Sequence, residues 1–249
     1  MCYFFIETMP IRSNHKRRLY LNGRVNTLLP LYERAVFIDW NGVLNNELFW
    51  SSILENPRHH LHTALKEAVS MVFRDRNRLR DWMRGNVNSE QVVSSLMIEL
   101  GRRFGKDFLL RRLHEDCSRM VCEPRLVEEL HRTRPGNFIV LATDNMDCFW
   151  QAALSLKDLG STFDAILCSS ELRVLKKDGV DLFFGPWLYR HHLSFNDSLL
   201  LDDSTETCQA FRSAGGTSVV VQNVDDAIRA LQNWRTQQPN PNGHQLAIR

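Results

Sequence analysis

The sequence lacks several features that would define a class of protein at once. No apolar run approaches the roughly 20 residues that a membrane-spanning helix needs. The short apolar patch in residues 1–10 has no basic stretch before it and no small-residue cleavage site after it, unlike a signal peptide. A Gly-x-x-x-x-Gly-Lys nucleotide loop is also missing. These absences disfavour membrane and P-loop proteins, and we expect a cytoplasmic protein with no membrane partner.

Cysteine is scarce and scattered. The chain has 6 cysteines and no Cys-x-x-Cys pair. Cys168 ends an apolar run and Cys148 lies beside aromatic residues, which is typical of reduced, buried thiols. The spacing therefore disfavours a zinc site and a disulfide framework.

The net charge is small, at +2 over 249 residues, but its distribution is uneven. Residues 72–112 contain ten Lys or Arg against five Asp or Glu, and residues 1–34 contain six against two. Clustered positive charge attracts phosphate-rich partners, so nucleic-acid contact through the basic part of the chain is one hypothesis. Solvated helix faces are the alternative, and composition leaves both open.

Short, nearly continuous apolar runs predict parallel strands that are covered on both faces. They lie at Ala35–Asp39, Phe138–Ala142, Asp164–Cys168, Ser198–Asp202 and Thr217–Val221. The later strands alternate with predicted helices at about 146–158, 180–192, 204–213 and 223–234. This alternation predicts an α/β fold with a doubly wound parallel sheet.

A long stretch without strand character separates the first two strands. Its apolar residues repeat at helical spacing, and Asn88 begins one helix with a plausible cap. We therefore predict an all-helical cap inserted at 45–133 into a Rossmann-like core at 35–44 and 134–236. Residues 1–34 form a basic N-terminal arm in this scheme, and residues 237–249 a flexible tail.

Polar side chains follow the predicted strands in order. Asp39 follows the first strand, Thr143 the second, and the pair Asp202 and Asp203 the fourth, while Lys176 lies in a loop between them. Ligands of open α/β sheets bind at the carboxyl ends of strands, so these side chains are expected to converge. Taken singly, Thr143 could instead cap the helix near 146, and Lys176 could be a solvated loop lysine.

The chemistry of this set suits phosphoryl transfer. A dianionic phosphate is repelled by a nucleophilic carboxylate, and Mg²⁺ held by carboxylate and carbonyl oxygens neutralises that repulsion. A lysine adds a fixed positive charge, and a hydroxyl with backbone N–H groups can hold phosphoryl oxygens. Asp39 could then attack phosphorus and form an aspartyl-phosphate.

The ordered motifs resemble those of the haloacid dehalogenase (HAD) superfamily, mostly phosphatases that use an aspartyl-phosphate and Mg²⁺. The segment Asp39-Trp40-Asn41-Gly42-Val43-Leu44 is similar to the first motif of the family, and Thr143 to the second. Lys176 with Asp178 is similar to the Lys-Pro-Asp element, although Lys177 replaces the proline, and Asp202-Asp203-Ser204 resembles the fourth motif. The helical insertion resembles a C1-type cap.

This resemblance implies a role for each matching residue. Asp39 would be the nucleophile and a metal ligand, and Asn41 would offer its backbone carbonyl to Mg²⁺. Asp203, with Asp202 less firmly placed, would complete the metal site. The phosphate would be bound by Thr143, by the chain after it at Asp144, and by Lys176. The expected substrate is a phosphorylated small molecule or a phosphorylated nucleic-acid end.

Asn41 departs from the family pattern. Phosphatases of the family place an aspartate there as general acid and base, and an amide cannot transfer a proton at neutral pH. Family members that act on carbon–halogen or carbon–phosphorus bonds lack this aspartate too. Four interpretations stay open: an impaired phosphatase, a hydrolase of another bond, an inactive domain that binds a phosphate-bearing partner, or an engineered residue.

Two further groups in the insertion have competing explanations. His59, His60 and His62 could bind a metal, but surface histidines at the start of a helix are the commoner arrangement. The aromatic residues Phe49, Trp50, Phe73 and Trp82 could line a pocket, but packing between cap helices is the more frequent role of such residues.

Overall fold

The computed structural model describes residues 18–21, 24–27, 32–47, 49–101, 105–150 and 159–237. Most of the predicted N-terminal arm, nearly all of the predicted tail and the second half of the helix predicted at 146–158 lie outside these ranges. The domain boundaries stay a prediction. Strands β1 (Arg18–Leu21) and β2 (Arg24–Thr27) form an antiparallel pair.

A five-stranded parallel sheet forms the centre of the fold. Its strands are β3 (Arg34–Ile38), β4 (Asn137–Thr143), β5 (Ala165–Cys168), β6 (Ser198–Asp202) and β7 (Thr217–Val220), in the spatial order β5-β4-β3-β6-β7. The connections between strands run in opposite directions on the two sides of the boundary between β3 and β6. Strand β3 is therefore central, and its Ile38 pairs with Leu141 of β4 on one side and with Leu201 of β6 on the other. The five predicted strands and the doubly wound α/β class are confirmed.

Side chains of the sheet bury apolar surface on both faces, as parallel strands require. Val36 and Ile38 of β3 join a large cluster that extends into the helices between β3 and β4. Ala35 and Phe37 point to the opposite face and join a smaller cluster with Phe184 and Phe211. This alternation fixes the register of β3 and therefore the position of the residue that follows it.

Within the described residues, the segment between β3 and β4 contains helices and no strand. It contains α1 (Ser51–Leu54), α2 (His62–Val72), α3 (Arg76–Met83), α4 (Ser89–Glu99), α5 (Lys106–Arg119) and α6 (Pro124–Thr133). Asn88 caps α4, and its capping box with Gln91 confirms the predicted start. Helices α1–α5 are called the helical cap below, and α6 packs against the last helix of the chain.

The other α-helices of the described residues follow β4. They are α7 (Leu159–Thr162), α8 (Ser169–Leu172), α9 (Val180–Phe183), α10 (Gly185–Arg190), α11 (Thr205–Ser213) and α12 (Val224–Thr236). The prediction of a single helix at 180–192 is wrong. The helix is interrupted between α9 and α10, and Pro186 lies in the first turn of α10. A proline there begins a helix but disfavours continuing one. Within the described residues, no helix is long and apolar enough to cross a membrane.

Asp147 fastens the helical cap to the sheet. Its carboxylate accepts hydrogen bonds from Trp82 Nε1 at 2.8 Å and from the backbone N–H and hydroxyl of Ser89 at the start of α4. Asp147 lies four residues beyond the end of β4. The cap is therefore held directly above the carboxyl end of the sheet.

Candidate active site at the carboxyl edge of the sheet

Asp39 comes directly after the central strand, and the backbone fixes its position. Its N–H donates to the carbonyl of Leu201 at 2.9 Å, which extends the pairing of β3 with β6 by one residue. One carboxylate oxygen, Oδ1, accepts from the N–H of Trp40 at 2.7 Å. Asp39 is buried, so its carboxylate has left bulk water and depends on these partners.

Lys176 supplies the positive charge. Its Nζ lies 2.9 Å from Asp39 Oδ2 and 2.5 Å from Asp202 Oδ2, and it also donates to the carbonyl of Ala142 at 3.3 Å. The side chain is only 3% exposed, which contradicts the solvated-loop alternative. An ammonium can be buried to this degree because two carboxylates surround it. Lys176 therefore joins the ends of β3, β4 and β6 at one point.

Three carboxylates meet beside this lysine. Oxygen atoms of Asp39, Asp202 and Asp203 lie within 4.8 Å of one another. Asp202 is fully buried, and its Oδ1 accepts from the N–H of Ser204 at 2.8 Å, whereas Asp203 is exposed. A hard divalent cation such as Mg²⁺ prefers an all-oxygen donor set of this kind, so the residues present fit the metal that the sequence predicted.

Gly42 makes room for Asp203. Its φ is +76°, a left-handed conformation that glycine adopts without steric cost. A Cβ atom built on Gly42 would lie 2.4 Å from Asp203 Oδ2. The glycine of the first motif therefore lets the turn after Asp39 approach the acidic pair closely.

Two buried donors at this edge have no protein partner. Thr143, the last residue of β4, is 0% exposed, and its Oγ1 makes no hydrogen bond in the described structure. The same holds for the indole Nε1 of Trp40, the residue after Asp39. Buried donors are rarely left unpaired, and each unpaired donor costs stability. Within the described residues, Thr143 caps no helix, which leaves its hydroxyl available to a bound ligand.

Asp144 adds a fourth carboxylate. It accepts from the backbone N–H of Lys176 at 3.0 Å, so it holds the loop that carries the lysine. Burial raises the pKa of Asp144, against the lowering effect of Lys176. The sequence predicted Asp144 only as a point of phosphate contact, and the structure shows that its side chain also positions Lys176.

The carboxylates and the lysine shift one another's ionisation. Burial raises the pKa of Asp39 to about 7; the ammonium of Lys176 opposes this rise and the carboxylate of Asp202 adds to it. Burial also raises the pKa of Asp203. For Lys176, burial alone would lower the pKa, but Asp39, Asp202 and Asp144 together raise it above its usual range. The lysine stays charged, and the cluster carries more negative charge than one ammonium can balance.

Asn41 occupies a different environment from the other predicted residues. Its side chain is exposed, and its backbone pairs with Asn45 in the tight turn after Asp39. An open groove of about 470 Å³ begins at this turn. It is lined by residues 42–47, 121–124 and 222–224 and does not include Asp39 or Lys176. The groove therefore borders the acidic cluster on the side of Gly42.

The helical cap contacts the loops around the site. The guanidinium of Arg84, after α3, forms two hydrogen bonds with the carboxylate of Asp178 at 2.8 and 2.6 Å. Ser169 Oγ donates to the carbonyl of Met83 at 2.7 Å and accepts from the N–H of Asn145 at 2.9 Å. The C-terminal end of α3 therefore lies at the rim of the site.

The other residues singled out by sequence do not join this site. Trp82 lies within 6.0 Å of the rings of Phe49, Trp50 and Phe73, so these aromatics pack the inside of the cap. His59 and His60 stack on each other. Within the described part of the chain, the only group of three or more His, Cys, Asp or Glu placed to hold a metal is the aspartate cluster.

Comparison with solved structures identifies the fold. A predicted HAD-like family hydrolase from Porphyromonas gingivalis matches with a TM-score of 0.64 at 13% identity, over 82% of this chain and 98% of its own. A HAD family enzyme from Bacteroides thetaiotaomicron matches with a TM-score of 0.58 at 13% identity, over 75% and 92%. The latter enzyme is also known in complex with magnesium and inorganic phosphate, with a TM-score of 0.53 to this chain.

An L-2-haloacid dehalogenase matches as well, with a TM-score of 0.54 at 18% identity over 74% of this chain and 82% of its own. No protein-family model and no curated protein sequence matches. The chain therefore has the fold of HAD-superfamily hydrolases, a Rossmann-like core with a helical cap, as the motifs predicted. The matched structures include a dehalogenase, so the fold alone does not choose the bond that is cleaved.

Proposed function

We propose that this chain is a Mg²⁺-dependent hydrolase that cleaves phosphate esters through Asp39. The observation that supports it most directly is the meeting of Asp39, Asp202 and Asp203 beside Lys176, with oxygens of the three carboxylates within 4.8 Å. The unpaired hydroxyl of Thr143 adds a donor for a phosphoryl oxygen. A carboxylate cluster of this density favours phosphate chemistry, in which a cation must offset repulsion, over displacement of a halide.

Asp39, Asp202 and Asp203 would hold the Mg²⁺, together with the backbone carbonyl of Asn41. When bound, the cation supplies charge neutralisation for an anionic substrate close to anionic side chains. Asp202 already has both oxygens engaged, one by Lys176 and one by the N–H of Ser204. Asp39 also has both oxygens engaged, by Trp40 and by Lys176, so the exposed Asp203 is the ligand most directly available.

The residues of the chain account for orientation of the nucleophile and for phosphate binding. Trp40 and Lys176 hold one oxygen each of Asp39, so the carboxylate is oriented before the substrate arrives. Thr143 Oγ1, the N–H groups after it and Lys176 would bind the phosphoryl oxygens. An Asp39 oxygen bonds to phosphorus, and the phosphorus–ester oxygen bond breaks. Water then cleaves the aspartyl-phosphate, releases inorganic phosphate and restores the carboxylate.

Asn41 limits which esters react. The departing ester oxygen carries an electron pair and needs a proton, and the exposed amide of Asn41 cannot donate one. Substrates with stable leaving groups, or with an acid of their own, are therefore favoured. This makes the leaving group the best probe of the mechanism.

Turnover of an aryl phosphate and of an alkyl phosphate tests the proposal. With Mg²⁺ we expect the wild type to hydrolyse the aryl ester, and Asp39→Asn to abolish turnover. Asn41→Asp should raise kcat on the alkyl ester by about 10²–10⁴-fold, because it restores an acid and base, and on the aryl ester by no more than about tenfold. The measurement is steady-state release of phosphate and of the alcohol.

The same assay contains its controls. Thr143→Val keeps the shape of a buried β-branched side chain and removes the hydroxyl, so it should weaken the turnover of both esters alike. No hydrolysis of either ester by the wild type and by Asn41→Asp would contradict the proposal. That result would favour the alternative of a binding domain for a phosphate-bearing partner.

A further inference from the structure

The third helix carries an unusual set of cations at the rim of the site. The segment 74–84 contains five arginines, Arg74, Arg76, Arg78, Arg80 and Arg84, against two aspartates. Arg84 is held by Asp178. Among the described residues, no carboxylate lies within ion-pair distance of the other four.

The two aspartates of this segment have other partners. Asp75 is the N-cap of α3 and accepts from the N–H of Asn77 at 2.9 Å. Asp81 accepts from the side chain of Asn86 at 3.0 Å. Neither forms an ion pair with Arg76 or Arg80 in the described structure, where Arg76 is exposed and Arg80 is half-buried.

Helical geometry places three of the arginines in one row. Arg76, Arg80 and Arg84 are spaced by four residues, so they lie along one flank of α3 and its extension, over about 12 Å at 1.5 Å per residue. Arg78 lies on the other flank, where it donates to Ser95 Oγ of α4. The row ends at Asp178, two residues beyond Lys176, and so leads outward from the site.

This arrangement opposes the stability of the helix itself. Arg76 and Arg78 occupy the first turn of α3, which has no acidic residue, although the N-terminal end of a helix favours negative charge. Arg76 and Arg80 also repel each other as an i,i+4 pair of like charges. Arg80, in the last turn, is favourably placed against the helix dipole, and Asp75 at the N-cap supplies one negative charge. The local cost therefore falls mainly on Arg76, whose charge a ligand outside the helix would compensate.

We propose that Arg76 and Arg80 bind phosphate groups of the substrate other than the phosphate that is hydrolysed. The inference rests on the proposed function and narrows it: the substrate is a polyanion that carries its scissile phosphate at one end. Arg84, at the end of the row nearest the site, is paired with Asp178, and Arg80 and Arg76 lie about 6 and 12 Å further along the helix axis, beyond a simple monoester bound at Asp39. Two sources share this chemistry, a single-stranded oligonucleotide with a terminal phosphate and a small molecule with several phosphates.

The test compares three substrates and two matched variants. The substrates are an aryl phosphate, a nucleoside 3′,5′-bisphosphate and a terminally phosphorylated single-stranded oligonucleotide. The variant R76Q/R80Q removes two charges from α3, and R111Q/R119Q removes two exposed charges from α5, neither of which forms an ion pair in the described structure. The measurements are kcat/KM and its dependence on salt.

We expect the wild-type kcat/KM for the bisphosphate, the oligonucleotide or both to be at least ten times the wild-type kcat/KM for the aryl phosphate. R76Q/R80Q should lose this advantage and leave the aryl phosphate value within about twofold, while R111Q/R119Q should keep it. For the oligonucleotide, the slope of log kcat/KM against log salt should flatten by about 1.4, since each lost phosphate contact on a single strand contributes about 0.7.

Binding separates this inference from the proposed function. With the Asp39→Asn variant, anisotropy of a labelled oligonucleotide and competition by the bisphosphate report binding without turnover. Weaker binding in the R76Q/R80Q background, but not in R111Q/R119Q, supports the arginine row even if no ester is hydrolysed. Equal binding and equal kcat/KM across both double variants would overturn the inference, whatever the activity on aryl phosphate.

Discussion

At the scale of single residues, the acidic groups of the site outnumber its basic group. Four carboxylates, Asp39, Asp144, Asp202 and Asp203, lie near one ammonium, and burial raises the pKa of the first, second and fourth of them. Lys176 alone cannot balance them. Like-charge repulsion therefore destabilises the cluster, and a bound cation would relieve it. The stability of the metal-free protein should consequently depend on pH.

We expect metal-free protein to lose stability as the pH rises through about 7. The pKa of Asp39 in the folded protein, about 7, lies above its value in the unfolded chain. Its stabilising contribution is therefore complete below the unfolded pKa and is lost as the pH rises through the folded pKa. The loss is on the order of a few kcal/mol, at about 1.4 kcal/mol per pKa unit.

Urea unfolding in EDTA at several pH values between 5 and 8 measures this loss. Asp39→Asn should flatten the curve, because the amide carries no charge, and millimolar Mg²⁺ should restore wild-type stability at the upper end. An equal fall in Asp39→Asn and the wild type would show that Asp39 does not cause it.

At the scale of elements, the turn after β3 brings the two acidic motifs together. The sequence predicted the strand ends because apolar runs and the residues that follow them are local signals. It did not predict the contact between Gly42 and Asp203, since 161 residues of chain separate them and only the register of β3 and β6 brings them close.

Gly42→Ala should weaken Mg²⁺ binding more than it weakens the fold. The new methyl group would meet Asp203 Oδ2 and displace it, and the left-handed φ adds a cost of about 1 kcal/mol. Gly136→Ala is the matched control, because Gly136 has φ of +77° and open space around its Cβ position. Calorimetric titration with Mg²⁺ and urea unfolding report the two effects separately.

The control should lose stability alone and keep the wild-type affinity for Mg²⁺. At Gly42, we expect at least a tenfold rise in the Kd for Mg²⁺. If both alanine variants bound Mg²⁺ with wild-type affinity, Asp203 would not be a ligand whose position depends on the turn.

At the scale of the whole molecule, the sequence predicted the core better than the attachment of the cap. The five strands follow from apolar runs in the sequence, and the helices of the cap follow from helical periodicity. The bonds that seat the cap, from Trp82 and Ser89 to Asp147 and from Arg84 to Asp178, join residues 58 to 94 positions apart. No local pattern encodes them. The interruption between α9 and α10 differs from these long-range contacts, because the adjacent Gly185-Pro186 pair is a local signal in the sequence for the end of one helix and the start of another.

The same scale explains why the site is enclosed. Apolar side chains of the helical cap and of one face of the sheet form a single hydrophobic core that includes Trp40, Trp82 and Phe149. Because the cap and the sheet share this core, the carboxyl edge of β3 is shielded while Asp203 and Asn41 stay exposed. The exposed side is where a substrate and a cation can enter.

The central claim is that the carboxylates of Asp39 and Asp203 share one divalent cation. Crystals soaked in Mn²⁺, which replaces Mg²⁺ in oxygen sites and scatters anomalously, test it most directly. We expect one anomalous peak in bonding contact with an oxygen of Asp39 and an oxygen of Asp203, beside Thr143 and Lys176. A peak that contacts only one of the two aspartates, or no peak at this edge of the sheet, would contradict it.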